Sequence, residues 1–474
     1  MLGENFALPR TVYVTHIPAI LLVTGFISWI AGDETGMVLA AAVGGAVSLY
    51  LMWDWLLAEG PTRLSTIMAM TLLLGYGLGA VNTWLTLPRG GLTVAQFFGG
   101  DEGNYARGMA MVLMVSAVLC LVGELYERPV FGSEFRLPLD QRTYVFIVLG
   151  TVAVIGGFLS KSVGYGGAQT SGERLSVASA LITWMFPPLT ALTVAVFLST
   201  HGRFLKTLTG ICALILWVLL MVTGRRNLIY TAMLAFFSLR LTGYRLRGTF
   251  YRKAFLITAA LVFLFVGVNA FMLLRLAGWQ FAHGQATLVQ RIEMTVSWVE
   301  DGSAFRRATD ANQANAEKRT FVLAFFADVL NGSMSHTPAL GQDAAGYTVM
   351  AIPRVLYPDK PEEFGEEGLA DDQFGLTYGD APNSLLTNGA TDFGIIGVFA
   401  YPLLMVGVFR FIVGVISRIL PVFSLTFITL GMIFVPLQTE SHIQAYLVTI
   451  RNVIIFSFIL GLFALMPRIS LRNQ

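Results

Sequence analysis

Residues 208–239 read LTGICALILWVLLMV, then TGRRN, then LIYTAMLAFFSL. Two uncharged apolar runs, Leu208–Val222 and Leu228–Leu239, flank the turn Thr223-Gly224-Arg225-Arg226-Asn227. Runs of this length and composition fit segments that enter a bilayer. The turn between them is too short for a water-filled loop. A guanidinium close to hydrocarbon is costly unless it meets an anion. Two readings of Arg225 and Arg226 follow. They form a pocket for a phosphate-bearing lipid substrate, which planar, two-pronged guanidinium groups suit. Otherwise they end a tight hairpin and snorkel to lipid headgroups.

The rest of the chain agrees with a membrane setting. Of 474 residues, 55% are hydrophobic and 13% charged, with mean hydropathy +0.67. Soluble domains carry about 25% charged residues. The net charge is +2 with no basic tract, so nothing points to nucleic acid as a partner. Cys120 and Cys212 both lie in apolar runs, so no disulfide framework is expected. The first apolar run, Val12–Ala31, is long for a signal-peptide core and has no clear A-x-A site. It reads as a retained span.

The hydropathy pattern predicts an all-α polytopic protein with about twelve spans: 12–31, 36–57, 64–86, 107–125, 143–160, 176–199, 207–222, 228–242, 254–276, 391–412, 421–438 and 447–466. The seventh and eighth are short and also fit one broken unit. Lys/Arg clusters at 240–253, 126–142 and the C-terminal tail fall on one side, which places both termini in the cytoplasm. The chain then divides into spans one to nine (1–276), an outward loop or cap (277–390), and spans ten to twelve (391–474). Within the cap, Leu288, Ile292, Val296 and Val299 have near-helical spacing. Thr320–Leu330 is apolar and is expected on the membrane surface. Pro187-Pro188 predicts a kink in the sixth span, and Pro402 and Pro436 in the tenth and eleventh. No internal repeat supports an inverted-repeat transporter.

Several positions carry chemistry. In Ile352-Pro353-Arg354-Val355-Leu356-Tyr357-Pro358-Asp359-Lys360-Pro361, prolines stiffen the backbone around Arg354 and Lys360. That suits an anion clamp, and equally a rigid exposed elbow. Gly389-Ala390-Thr391-Asp392-Phe393-Gly394-Ile395-Ile396-Gly397 opens the tenth span. Asp392 is expected in its first turn as a cap on the helix dipole, with the glycines allowing close packing. Asn383, Ser384 and Asn388, with Asp392, are candidate sugar contacts. The hairpin Gln438-Thr439-Glu440-Ser441-His442-Ile443-Gln444 holds a carboxylate and an imidazole, either able to take a proton from a hydroxyl. Arg451 follows within the last span and must face protein or a polar cavity; an ion pair with Glu440 is the structural alternative. Arg275 ends the ninth span, where it binds a diphosphate or snorkels. No H-E-x-x-H, C-x-x-C, P-loop, D-x-D, D-x-E or E-x-D occurs, so no metal or other cofactor is expected.

Together these features resemble the bacterial oligosaccharide repeat-unit polymerases, the Wzy-type enzymes of O-antigen, capsule and exopolysaccharide assembly. The pieces that carry the likeness are G-R-R-N at 224–227, P-R-V-L-Y-P-D-K-P at 353–361, and N-G-x-x-D-F-G-I-I-G at 388–397. It spans roughly residues 220–460; the first half matches in span pattern alone. Asn388 stands where such polymerases often carry glutamate, and Arg451-Asn452-Val453 where many have an R-G-D-like tripeptide. The resemblance implies a GT-C-like, metal-independent glycosyltransferase of the bacterial inner membrane. Its substrates would be polyprenyl-diphosphate-linked oligosaccharides. Arg225, Arg226, Arg275, Arg354, Lys360 and Arg451 would face the diphosphate, and His442 or Glu440 would act as base. A chain-length regulator and a flippase are the implied protein partners, and membrane lipid surrounds the chain. Three alternatives stand: an O-antigen ligase or other polyprenyl-phosphate glycosyltransferase, a lipid-linked glycan flippase, and a scaffold of a polysaccharide export complex.

Overall fold

The computed structural model describes residues 12–57, 63–86, 90–127, 137, 139–160, 163, 177–241, 250–281, 287–319, 322–353, 356–359, 361, 364, 366–377 and 382–464. Among these residues the fold is helical throughout, with no strand. This follows from the composition: a backbone in hydrocarbon must satisfy its own N–H and C=O groups, and a helix does so within one segment. Among the described residues nine helices are long and apolar enough to cross a membrane: Val12–Ala31, Glu34–Asp54, Leu64–Thr86, Glu102–Tyr126, Gln141–Leu159, Ala178–Ser199, Arg203–Thr223, Leu385–Ile419 and Ile443–Leu462. The other three expected spans coincide with shorter apolar helices, Asn227–Leu239, Val262–Gly278 and Val422–Phe434.

The chain forms two compact units that interleave along the sequence. The first comprises 1–132, 316–415 and 435–451; the second comprises 133–315, 416–434 and 452–474. Of the stretch 277–390, residues 277–315 fall in the second unit and 316–390 in the first, and helices Leu385–Ile419 and Ile443–Ala464 each contribute to both.

In the first unit, Glu102–Tyr126 is the central element. Asp101 caps its start by accepting from the Asn104 N–H at 3.1 Å. Ser28 donates to the Ala106 carbonyl at 3.0 Å, tying Val12–Ala31 to it. At its far end Arg63 pairs with Glu124, and Arg410 donates to the Tyr126 carbonyl at 2.9 Å. Helix Val322–Ser335 packs on the same element, with Ala327 against Gly108. Its residues from Val322 to Leu330 are almost all buried. The expected membrane-surface role of 320–330 is thus overturned: this apolar face is covered by protein.

The second unit is organised around aromatic side chains. Phe146 meets Phe423 and Phe427 edge-on, with centroids 5.0 and 4.9 Å apart, and Trp184 lies 5.1 Å from Phe456. Such pairs add about 0.5–1.5 kcal/mol each beyond area burial. Helix Val177–Ser199 continues through Pro187 and Pro188. The expected break is absent: Pro187 and Pro188 take the helical donors from the Thr183 and Trp184 carbonyls, yet the helix runs on, with Thr190 and Thr193 donating to the Phe186 and Leu189 carbonyls at 2.8 and 2.7 Å.

Candidate functional site

The tenth expected span begins earlier than the sequence suggested, at Leu385, and it is broken. Phe393 (φ −139°, ψ 19°) and Gly394 (φ 59°, ψ −140°) are non-helical inside Leu385–Ile419. Only glycine adopts the Gly394 conformation at low cost. The break folds residues 385–392 back onto the following turn. There Gly389 and Gly397 touch through their backbones; a Cβ on Gly389 would lie 2.3 Å from the Gly397 carbonyl oxygen. Pro402, where an interruption was expected, lies inside the helix, and the break is nine residues earlier in the chain, at Phe393.

Interrupting a helix frees carbonyls, and these are taken up. The Thr391 and Asp392 carbonyls accept from the Ala339 and Leu340 N–H groups, both at 2.9 Å. Leu340 (φ 52°) and Gly341 (φ 91°) then reverse the chain into a short helix, Gln342–Ala351. Asp392 sits at that helix's N-terminus. Its two carboxylate oxygens accept from the N–H groups of Asp343 and Ala344, each at 2.9 Å, and from the Tyr401 hydroxyl at 2.5 Å. Asp392 is therefore a cap, but not of the span in which it lies. At the other end, Arg451 donates to the Ala351 carbonyl at 2.9 Å. A carboxylate at the positive end and a guanidinium at the negative end both complement the dipole of Gln342–Ala351.

Asp343, in the first turn of this helix, had no signal in the sequence. It is fully buried, and one carboxyl oxygen accepts from the Asn388 amide at 2.6 Å. The other has no hydrogen-bond partner among the described residues. Burial, reinforced by the Asp392 carboxylate and only partly opposed by the Asn388 hydrogen bond, pushes its pKa up to about 8. Asp343 thus holds a proton at neutral pH. Asn388 also accepts from the Ile443 N–H at 2.7 Å, which connects the acid to the hairpin bearing His442.

His442 is half-buried and stacks on Tyr347 of the same short helix, with centroids 5.0 Å apart. Its Nδ1 is buried without a hydrogen-bond partner among the described residues, and burial lowers its pKa to about 4. An ordinary imidazole is what the sequence suggests; the fold makes His442 a neutral acceptor with less basicity. Glu440 is half-buried in the same turn. The hairpin itself is seated on helix Leu64–Thr86, where Leu73–Leu78 forms a π-helical turn. Thr439 donates to the Thr71 carbonyl there at 3.0 Å. Tyr76, within the π turn, bonds the Ser384 hydroxyl at 2.6 Å.

The candidate residues thus fall into three groups. Asn388, Asp392, His442 and Arg451 gather around helix Gln342–Ala351. Ser384, Asn388 and Asp392 are fully buried and committed to internal hydrogen bonds, so they tie the site together rather than present donors to a sugar. Ser384 caps the helix that starts at Leu385, accepting from the Leu386 and Thr387 N–H groups at 3.1 and 3.3 Å. Asn383, just before it, keeps a buried oxygen without a protein partner. Arg225 and Arg226 open helix Arg225–Leu241 in the second unit, with side chains outside the described residues. Arg275 is half-buried in Phe250–Trp279, also in that unit. Arg354 and Lys360 lie outside the described residues. Comparison with protein-family models, curated proteins and solved structures gave no match.

Proposed function

We propose that this chain is a glycan polymerase of a bacterial inner membrane. It transfers a growing glycan from polyprenyl diphosphate to a lipid-linked repeat unit on the periplasmic side. The observation that best supports this reading is the crowding of unlike groups on one short helix. Asp343 brings a proton-bearing carboxyl, His442 a neutral ring nitrogen, and Arg451 a cation, and the chain leaves that helix directly into Ile352-Pro353-Arg354.

In the proposed step, a hydroxyl oxygen of the acceptor attacks the donor anomeric carbon. The bond from that carbon to the diphosphate oxygen breaks, and the diphosphate leaves with the electron pair. The hydroxyl proton passes to a base, His442 or Glu440. Guanidinium groups fixed in place stabilise the charge that builds on the leaving diphosphate; Arg451, which ties down helix Gln342–Ala351, is the candidate at this site, and Arg225, Arg226, Arg275, Arg354 and Lys360 are candidates by sequence.

Purified protein mixed with lipid-linked repeat units tests the reading. Chain extension in the presence of EDTA is the expected result. A deletion strain should export or attach single repeat units only. Long polymer accumulating on the carrier lipid in that strain would instead assign the ligase reaction, and no extension of purified repeat units would reject the polymerase.

A further inference from the structure

We infer that helix Leu288–Glu300 is a membrane-surface element whose exposed apolar face lies in the lipid at the bilayer boundary. The helix has two apolar sides. One is packed on protein: Trp298 joins Leu273, Ala277 and Ala308 in a buried cluster, with Leu276 and Met294 against it. Arg291 is buried on this side, its guanidinium against Gly278. The other side carries Val289, Ile292, Val296 and Val299, which are 63, 45, 47 and 62% exposed. At 3.6 residues per turn these four fall within an arc of about 80°. They form an uncharged aliphatic stripe roughly opposite Arg291 and Trp298. Phe305, on the next helix, is 74% exposed.

Lipid is the occupant that the attachment point selects. The stripe belongs to a helix anchored on the last turns of the apolar segment Val262–Gly278. That segment itself exposes Val262, Phe263, Phe265 and Val266, side chains that suit acyl chains. The anchoring turn is where the apolar segment ends, so the attached helix sits at the edge of the hydrocarbon. Its 13 residues reach about 20 Å, too short to cross a core of about 30 Å. Its N-terminus is closed by its own side chains. Thr287 accepts from the Gln290 N–H at 3.3 Å, and Gln290 accepts from the Thr287 N–H at 2.9 Å. Exposed Glu293, Ser297 and Glu300 line one flank of the stripe, where they reach water while the stripe enters lipid. With carboxylates on that flank, the contact rests on apolar burial and does not need anionic lipid.

Spin labels on single cysteines test this in the full chain, in phosphatidylcholine nanodiscs and a Cys120→Ala, Cys212→Ala background. Oxygen partitions into lipid and a polar nickel chelate into water. Labels at 289, 292, 296 and 299 should show an oxygen-to-nickel accessibility ratio several-fold higher than labels at 293, 297 and 300. Labels at 292 and 299 report the same face should a label at 296 disturb the helix. High nickel accessibility at the stripe would put it in water. Low accessibility to both reagents would mean that protein, such as a second copy of the chain, covers it. Either result overturns the inference.

Discussion

Replacing Asp343 by asparagine isolates the proton held at the start of helix Gln342–Ala351. Asparagine has the shape of a protonated carboxyl and keeps an oxygen for the Asn388 amide, so the packing is retained. In the wild type the carboxyl moves from an ordinary 3.8 to about 8. At ~1.4 kcal/mol per pH unit this is a preference of at most ~6 kcal/mol for the protonated form, which local relaxation lowers. Between about pH 4 and pH 8 the folded chain keeps a proton that the unfolded chain has lost. Stability therefore falls as pH rises through this window and levels off above it. Thermal unfolding in detergent, followed by tryptophan fluorescence, should show the wild-type Tm several degrees lower at pH 9 than at pH 6. Asp343→Asn should lose that part of the slope, matching the wild type near pH 4 and exceeding it at pH 6 and by more at pH 9. A variant with the full wild-type slope, or a wild type with no slope, would refute the protonated state of Asp343.

Other changes probe the remaining parts of the site. Gly394→Ala forces a side chain into φ 59°, ψ −140° and should cost about 1–3 kcal/mol, seen as a lower Tm; an unchanged Tm would remove the strain argument. His442→Gln should lower chain extension by about 10²–10⁴ if the ring takes the proton, and full activity would transfer that role to Glu440 or elsewhere. Because burial holds His442 near 4, the ring is already neutral above about pH 5. The wild-type rate should then show no inflection from this group near pH 6.5, and such an inflection would mark an exposed imidazole. Arg225→Ala and Arg226→Ala should each greatly reduce polymer in cells while the protein still reaches the membrane, with poor rescue by lysine; normal polymer in both would return these residues to headgroup contacts.

Nine of the twelve expected spans coincide with helices long and apolar enough to cross a membrane, because a long uncharged apolar run is costly to keep in water and fits a helix across hydrocarbon. Where the sequence misled, the reason is physical. Hydropathy cannot separate an apolar face turned to lipid from one turned to protein, so Val322–Ser335 was expected at the membrane surface and is buried against Glu102–Tyr126. The Leu288–Glu300 stripe has the opposite outcome from a similar pattern. Asp392 was expected to cap the tenth span because a carboxylate in the first turn of a helix complements its dipole. Its actual partners, the N–H groups of Asp343 and Ala344, lie 49 and 48 residues away. Asp343 gave no warning at all: an aspartate after glycine and glutamine is unremarkable until Asn388 and Asp392 are folded around it. Arg451 was expected to face protein or a polar cavity, and it reaches the Ala351 carbonyl.

The two-ended hold on Gln342–Ala351 also bears on how the protein is made. Its N-terminal tie comes from Asp392, and its C-terminal tie from Arg451, 100 residues after Ala351. During synthesis the short helix therefore leaves the ribosome well before either tie exists. It waits for the broken helix to insert, and then for Ile443–Ala464. Until Arg451 arrives, the Ala351 carbonyl lacks its guanidinium, and Asn388 lacks the Ile443 N–H that links it to the hairpin. Of the parts of this site, the segment with Ile443 and Arg451 is made last and completes it, and a nascent chain stopped before Ile443 would lack this closure.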